Sequence, residues 1–148
     1  MRRSYLKFGL AAAVVVLASG CATGPKHSEV AARFPAVKSG EGRIYFYRNS
    51  TFGAAVQPEI RLNGQVVGKS QPNGFFFVDR AAGNYVASSS TETEKTLSFT
   101  LQPGETKYVK SSIGFGLVVG RAVLDLVAPT QGAADISNLS YTGTLAGK

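Results

Sequence analysis

One cysteine and one histidine limit the chemistry open to this chain. Cys21 is the sole thiol and His27 the sole imidazole. A lone thiol closes no disulfide within its own chain and builds no cysteine-based metal site. A Ser–His–Asp or Cys–His relay needs an imidazole beside its nucleophile. His27 lies in a linker-like stretch of small and polar residues, Thr23 to Ser28, and reads as solvated. No spacing among the many Ser and Lys residues singles out a Ser–Lys pair. The acids Glu59, Asp79, Glu92, Glu94, Glu105, Asp125 and Asp135 are scattered. A calcium site needs several closely spaced carboxylates, and a glycosidase needs two at a fixed separation across a cleft. Glu92 and Glu94 end the polar run from Ser88 and read as solvated groups at a hairpin tip. Gly114-Phe115-Gly116 with Gly120 lacks the dinucleotide-loop spacing. It reads as a flexible or tightly packed turn, or as an apolar patch touching membrane or a partner. These residues imply no catalytic site, no metal and no cofactor.

The aromatic residues offer binding rather than catalysis. In a strand, Phe75 and Phe77 point one way and Phe76 the other. A sheet with one wet face leaves at least one of them exposed, and exposed aromatic clusters mark partner sites. A central strand covered on both sides is the plainer reading. Phe75, Phe76, Phe77, Tyr45 and Tyr47 are therefore the candidate binding surface.

The residues before Cys21 give it a setting. Arg2, Arg3 and Lys7 precede an apolar run from Phe8 to Ala18. That run has the length of a signal-peptide core and is too short to span a bilayer. Small residues then lead into the cysteine. Leu17-Ala18-Ser19-Gly20-Cys21 resembles the lipobox of bacterial lipoproteins, with Ala18 standing where Leu is usual. The resemblance implies cleavage before Cys21, a diacylglycerol on its thiol and acylation of the new amino terminus. Several acyl chains hold a protein on a membrane more firmly than one. Ala22, where retained lipoproteins carry Asp, implies the outer membrane, at its periplasmic face. The alternative is ordinary cleavage after Gly20, leaving a free thiol.

Three parts follow: a signal peptide over 1–20, a lipidated flexible tether over 21–41 and a domain over 42–148. A short apolar stretch, Val30 to Phe34, predicts one helical turn before Pro35. The chain carries a net charge of +7, and loss of Arg2, Arg3 and Lys7 lowers it to +4. That excess is spread out, with no basic run, so nucleic acid is not an expected partner. A membrane lipid, an envelope protein or a cell-wall polymer is.

From Gly42 the apolar period becomes two. Strands are predicted over 43–48, 58–62, 65–69, 74–79, 85–89, 95–101 and 106–110. Asn63-Gly64 is a strong type I′ hairpin signal, since both positions tolerate positive φ. Residues 121–127 fit a strand better than a helix. Residues 133–139 predict a short helix with Ala133, Ile136 and Leu139 (or Ser140) facing the core. The expected fold is all-β, an antiparallel β-sandwich or open barrel of about seven strands.

Gly42-Arg43-Ile44-Tyr45-Phe46-Tyr47-Arg48, Leu62-Asn63-Gly64 through Gly68, Gly74-Phe75-Phe76-Phe77 and Ala82-Gly83-Asn84-Tyr85 follow one another in order. This series resembles the DUF2846 family over about residues 41–141, with Ala82-Gly83 in place of the usual Pro-Gly. The resemblance implies the fold and supplies no catalytic residue. The leading expectation is a membrane-anchored, non-catalytic binding or structural module of the cell envelope. A binder of a small lipid or glycan on the aromatic strand, and a hydrolytic enzyme, are the rivals.

Overall fold

The computed structural model describes residues 20–144. Nine strands form two sheets: β1 (Glu41–Arg48), β2 (Glu59–Leu62), β3 (Gln65–Lys69), β4 (Gly74–Ala81), β5 (Gly83–Ser90), β6 (Glu94–Leu101), β7 (Thr106–Gly114), β8 (Arg121–Val127) and β9 (Ser140–Tyr141). One sheet has the order β8-β7-β1-β4-β9 and the other β3-β2-β5-β6. The seven predicted strands are present, and residues 121–127 are a strand. Two expectations need correction. The described residues hold nine strands, against about seven expected. The larger sheet is mixed, because β1 pairs parallel with β7 and β4 parallel with β9.

Strand β1 is central, and its sequence shows why. Ile44 and Phe46 point toward the second sheet, where they pack with Ile60, Leu62, Phe76 and Val109. The Phe46 and Phe76 rings stack at 5.2 Å. Tyr45 and Tyr47 point the other way, onto Phe75, Tyr108, Ile136 and Tyr141. Such a strand, covered on both faces, carries apolar or aromatic residues at every position rather than alternating with polar ones. Arg43 ends the stripe with a bidentate bond to Asp79 on β4, at 2.7 and 2.8 Å. It also donates to the Pro35 carbonyl and lies 4.0 Å from the Phe77 ring centre.

The outer face of the larger sheet is covered by segments from both ends of the chain. From the amino-terminal side come the short helix α1 (His27–Val30) and a 3-10 turn, Ala31–Arg33. The stretch expected as a flexible tether is therefore docked over much of its length. The Ala22 amide donates to Pro72, the His27 amide to Leu139, and the Pro25 carbonyl accepts from Tyr141. Val30 is buried, and His27 sits among Phe34, Tyr45 and Phe75, with ring centres 5.3–6.0 Å apart. His27 is not the solvated residue expected, and burial lowers its pKa.

Helix α2 (Pro129–Ile136) completes the layer. It begins earlier than predicted. Pro129 suits the first helical turn, where its missing N–H costs nothing. Gly132 lies against Tyr108, and a Cβ there would collide with the ring. Ile136, Leu139 and Ser140 are buried as expected, while Ala133 is exposed.

The Asn63-Gly64 turn has φ of 47° and 81°, as a type I′ turn requires. It lies at one end of the sandwich with the β4–β5 and β6–β7 turns. The other end gathers the exit of β1, the β5–β6 tip and the β7–β8 loop.

Candidate functional site

The aromatic strand is covered on both sides, the plainer of its two readings, so most of the candidate binding surface is core. Phe75 and Tyr47 are almost wholly buried, and Phe76 and Tyr45 nearly so. Phe77 alone is partly exposed. The covering layer of α1, α2 and β9 closes the face that a two-layer sandwich would leave wet. Burial raises the pKa of both Tyr45 and Tyr47, and the Asp135 carboxylate, accepting from the Tyr47 hydroxyl at 2.7 Å, adds to the rise at Tyr47.

A cleft opens beside that core. It has a volume of about 660 Å³ and opens to solvent. Strand β9 pairs only with Gly74 and Phe75, so among the described residues β4 lacks a second neighbour from Phe76 onward. Strand β3 is the edge of the other sheet. The cleft lies between these edges. Its apolar walls are Phe34, Val67, Phe76, Phe77 and Tyr141. Arg33, Lys69, Gln71, Thr142 and Thr144 bring polar groups to it. Gly68 admits the Phe76 ring, which a Cβ would meet at 2.5 Å. An extended apolar or ring-bearing ligand fits such walls, and the two cations favour an anionic one. Phe76 and Phe77 were candidates from the sequence. Phe34 and Tyr141 were not, because nothing local shows that two segments over a hundred residues apart meet.

Cys21 is half-buried at the start of the folded domain. The preceding Gly20 carbonyl accepts from the Gln57 side chain at 2.5 Å, and the following Ala22 is bonded to Pro72. The signal-peptide reading of residues 1–19 lies outside the described residues.

Arg48 ends β1 close to this point. Its fully buried guanidinium donates to the carbonyls of Val56, Ser70 and Phe52, at 2.8, 3.1 and 2.7 Å. Its Nε has no partner. Burial lowers its pKa.

Glu92 also departs from expectation. Its carboxylate accepts the amides of Leu117 and Val119, at 3.0 and 2.7 Å, and that of Val118. These amides depress its pKa to about 2. No local signal links Glu92 to a loop 25 residues away.

The groups relevant to hydrolysis are placed as follows. Glu59 and Glu94 flank one shallow groove with Arg61 and Ser88 to Ser90, and Glu59 is ion-paired to Arg61. Lys26 Nζ donates to Ser140 Oγ at 3.2 Å, but Ser140 is 2% exposed and Lys26 faces solvent. A nucleophilic serine needs the reverse arrangement, an accessible hydroxyl beside a desolvated amine. Among the described residues, no three His, Cys, Asp or Glu side chains cluster as metal ligands would.

Comparison with protein families matches residues 38–122 to the family described as "Protein of unknown function (DUF2846)". The chain belongs to the DUF2846 family. The match runs from just before β1 to the start of β8, so it holds both sheets' central strands and the β3–β4 side of the cleft. The walls from Phe34 and Tyr141 fall outside it. A protein of Haemophilus influenzae (strain ATCC 51907 / DSM 11121 / KW20 / Rd), described as "Uncharacterized protein", is 30% identical over 132 residues. The alignment covers 86% of this chain and 79% of that relative. It is longer than the DUF2846 match and reaches beyond the shared strands.

Proposed function

We propose that this DUF2846 protein is a bacterial lipoprotein, held at the periplasmic face of the outer membrane by an acylated Cys21. It acts there as a non-catalytic binding or structural module. The observation that carries this reading is the order of basic start, short apolar run, small residues and sole cysteine at residues 2–21. The attachment of Ala22 to Pro72 agrees with it, since an anchor at Cys21 would join the folded domain without a free spacer. The hydrolase reading finds little support. The serine beside Lys26 is sealed, and the walls of the large cleft carry no carboxylate or imidazole.

Membrane fractionation of the Cys21→Ser chain tests the anchor. The variant should leave the outer-membrane fraction, whether an ordinary peptidase releases it or an uncut leader holds it back. A Cys21→Ser chain that still fractionates with the outer membrane overturns the reading.

The cleft favours a second reading, in which the module binds a small lipid or glycan between β3 and β4. Short-chain anionic phospholipid, or soluble cell-wall fragments, should shift the methyl resonances of Val67 and Thr142. Val86, exposed on β5 and outside the cleft walls, should stay still. If neither probe moves Val67 and Thr142, the cleft is not a site for either class.

A further inference from the structure

The end of the sandwich that carries Cys21 also carries the largest exposed apolar residues of the described chain. Phe115, Leu117 and Val118 are 88%, 89% and 86% exposed, and Val119 and Phe52 about half. Phe115 and Phe52 meet edge to face at 5.2 Å. Scattered apolar residues on a surface need no explanation, but a contiguous patch does.

Three observations place this patch. Phe52 lies on the loop after β1, and Arg48 ties that loop down through its Phe52 and Val56 carbonyls. The Ala22 amide donates to Pro72, and the Ala22 methyl lies beside Gly74, the β4 partner of Arg48. Cys21 therefore lies at the end of the sandwich where β1 leads into the Phe52 loop. The predicted anchor and the patch share one end. The turns at Asn63, Ala82 and Gly104 mark the other.

The loop is also built rather than frayed. Glu92 gathers three consecutive amides, which fixes the backbone of Leu117 to Val119 and directs their side chains outward. Gly120 and Gly53, both at positive φ, pack against Ile113, with no room for a Cβ. Such a tip holds its apolar side chains in water, away from both cores. Glu92 is satisfied by backbone amides, so its charge is already solvated by the protein if the tip enters a headgroup layer.

We propose that the tip formed by Phe115, Leu117, Val118 and Phe52 inserts into the lipid surface that holds Cys21. It would be a second contact that fixes the orientation of the domain. The proposal rests on the lipoprotein reading for its choice of a lipid occupant over a protein one. Oriented this way, the turns at Asn63, Ala82 and Gly104 point away from the membrane, and the β3–β4 cleft opens to the side.

The chain contains no tryptophan, so a single one reports its own surroundings. The full chain bearing Leu117→Trp, processed by a bacterial host, is reconstituted into phosphatidylethanolamine–phosphatidylglycerol vesicles with brominated or plain acyl chains. Ala82→Trp, at the opposite end, is the control, and Val118→Trp repeats the test if Leu117→Trp fails to fold. Bromine should quench the tip tryptophan about twofold or more, as expected for side chains reaching the acyl boundary, and leave Ala82→Trp unchanged. Equal quenching of the two positions overturns the proposal. Blue-shifted emission without quenching places the tip against protein, its own chain or a second copy, and also overturns it. The intact mass of the same preparation separates the two claims. An acylated chain with an unquenched tip sinks this proposal alone. A quenched tip on an unacylated chain supports insertion while removing the anchor.

Discussion

Replacing Arg48 by Met removes three charge-assisted bonds while keeping much of the side chain's length and apolar bulk. Each hydrogen bond from a charged donor contributes about 1.5–3 kcal/mol, so the three carbonyls of Phe52, Val56 and Ser70 give a gross contribution of roughly 4–9 kcal/mol. Burying a guanidinium costs several kcal/mol in return, and buried ion pairs replaced whole by apolar groups are often neutral. Here the acceptors are backbone carbonyls that stay behind when the guanidinium goes. The Ser70 carbonyl remains in a buried setting, while those on the loop after β1 can reach water if the loop lifts. The net loss is therefore expected at about 2–4 kcal/mol. For a domain of this size that lowers the melting temperature by roughly 8–16 °C. Thermal unfolding of the mature protein followed by circular dichroism measures it. Hydrogen exchange at the Phe52 to Val56 amides should accelerate in parallel. Arg48→Lys, with a compact ammonium in place of a fork, should fall between the two. A melting temperature for Arg48→Met within a degree of wild type would show that desolvation cancels the bonds and would refute the reasoning.

Further outcomes follow from particular contacts. Gly132→Ala should destabilise the protein despite a helix-propensity gain of about 1 kcal/mol, because overpacking against Tyr108 costs about 1–3 kcal/mol; a raised melting temperature contradicts that packing. Gly64→Val should cost about 1–3 kcal/mol through strain at positive φ, as read from urea unfolding, and an unchanged midpoint contradicts the turn. The pKa of Glu92 is depressed in the folded state, so its contribution is present above the ordinary carboxylate range and is lost as pH falls toward about 2. Glu92→Gln should speed exchange of the Leu117 to Val119 amides at neutral pH and abolish this acid dependence; unchanged exchange rates would count against the amide clasp. The His27 pKa is lowered by burial, so the unfolded chain takes up the proton first. Wild-type stability should fall as pH drops below about 6.5. His27→Phe keeps the aromatic packing and should flatten that slope between pH 7 and 5; an unchanged slope would mean that other groups set it.

Local patterns announced the strands well. The run of aromatic and branched residues at 43–48, the alternation at 95–101 and the Asn63-Gly64 pair each encode a strand preference or a φ requirement that their own residues satisfy. What the local sequence hid was the third layer. Tyr45, Tyr47 and Phe75 look like a surface until α1, α2 and β9 are laid over them, and those segments come from opposite ends of the chain. The tether looked unstructured because it docks through backbone groups of Ala22, Pro25 and His27, bonded to Pro72, Tyr141 and Leu139, which no local pattern reveals. The parallel pairing of β1 with β7 was hidden for the same reason, since strand period says nothing about neighbours. Of the candidate site, Cys21 stands out in the sequence because a lipobox-like pattern is linear. The cleft does not, because Phe34, Val67 and Tyr141 converge only in the fold.

The central claim is that Cys21 is the acylated first residue of the mature protein. Intact-mass analysis of the protein purified from its native membranes, with fragmentation of the amino-terminal peptide, tests it most directly. The account predicts a chain that begins at Cys21 and carries a diacylglycerol on its thiol and a fatty acyl group on its amine. A chain that begins at Cys21 with an unmodified thiol, or that retains residues 1–20, contradicts it.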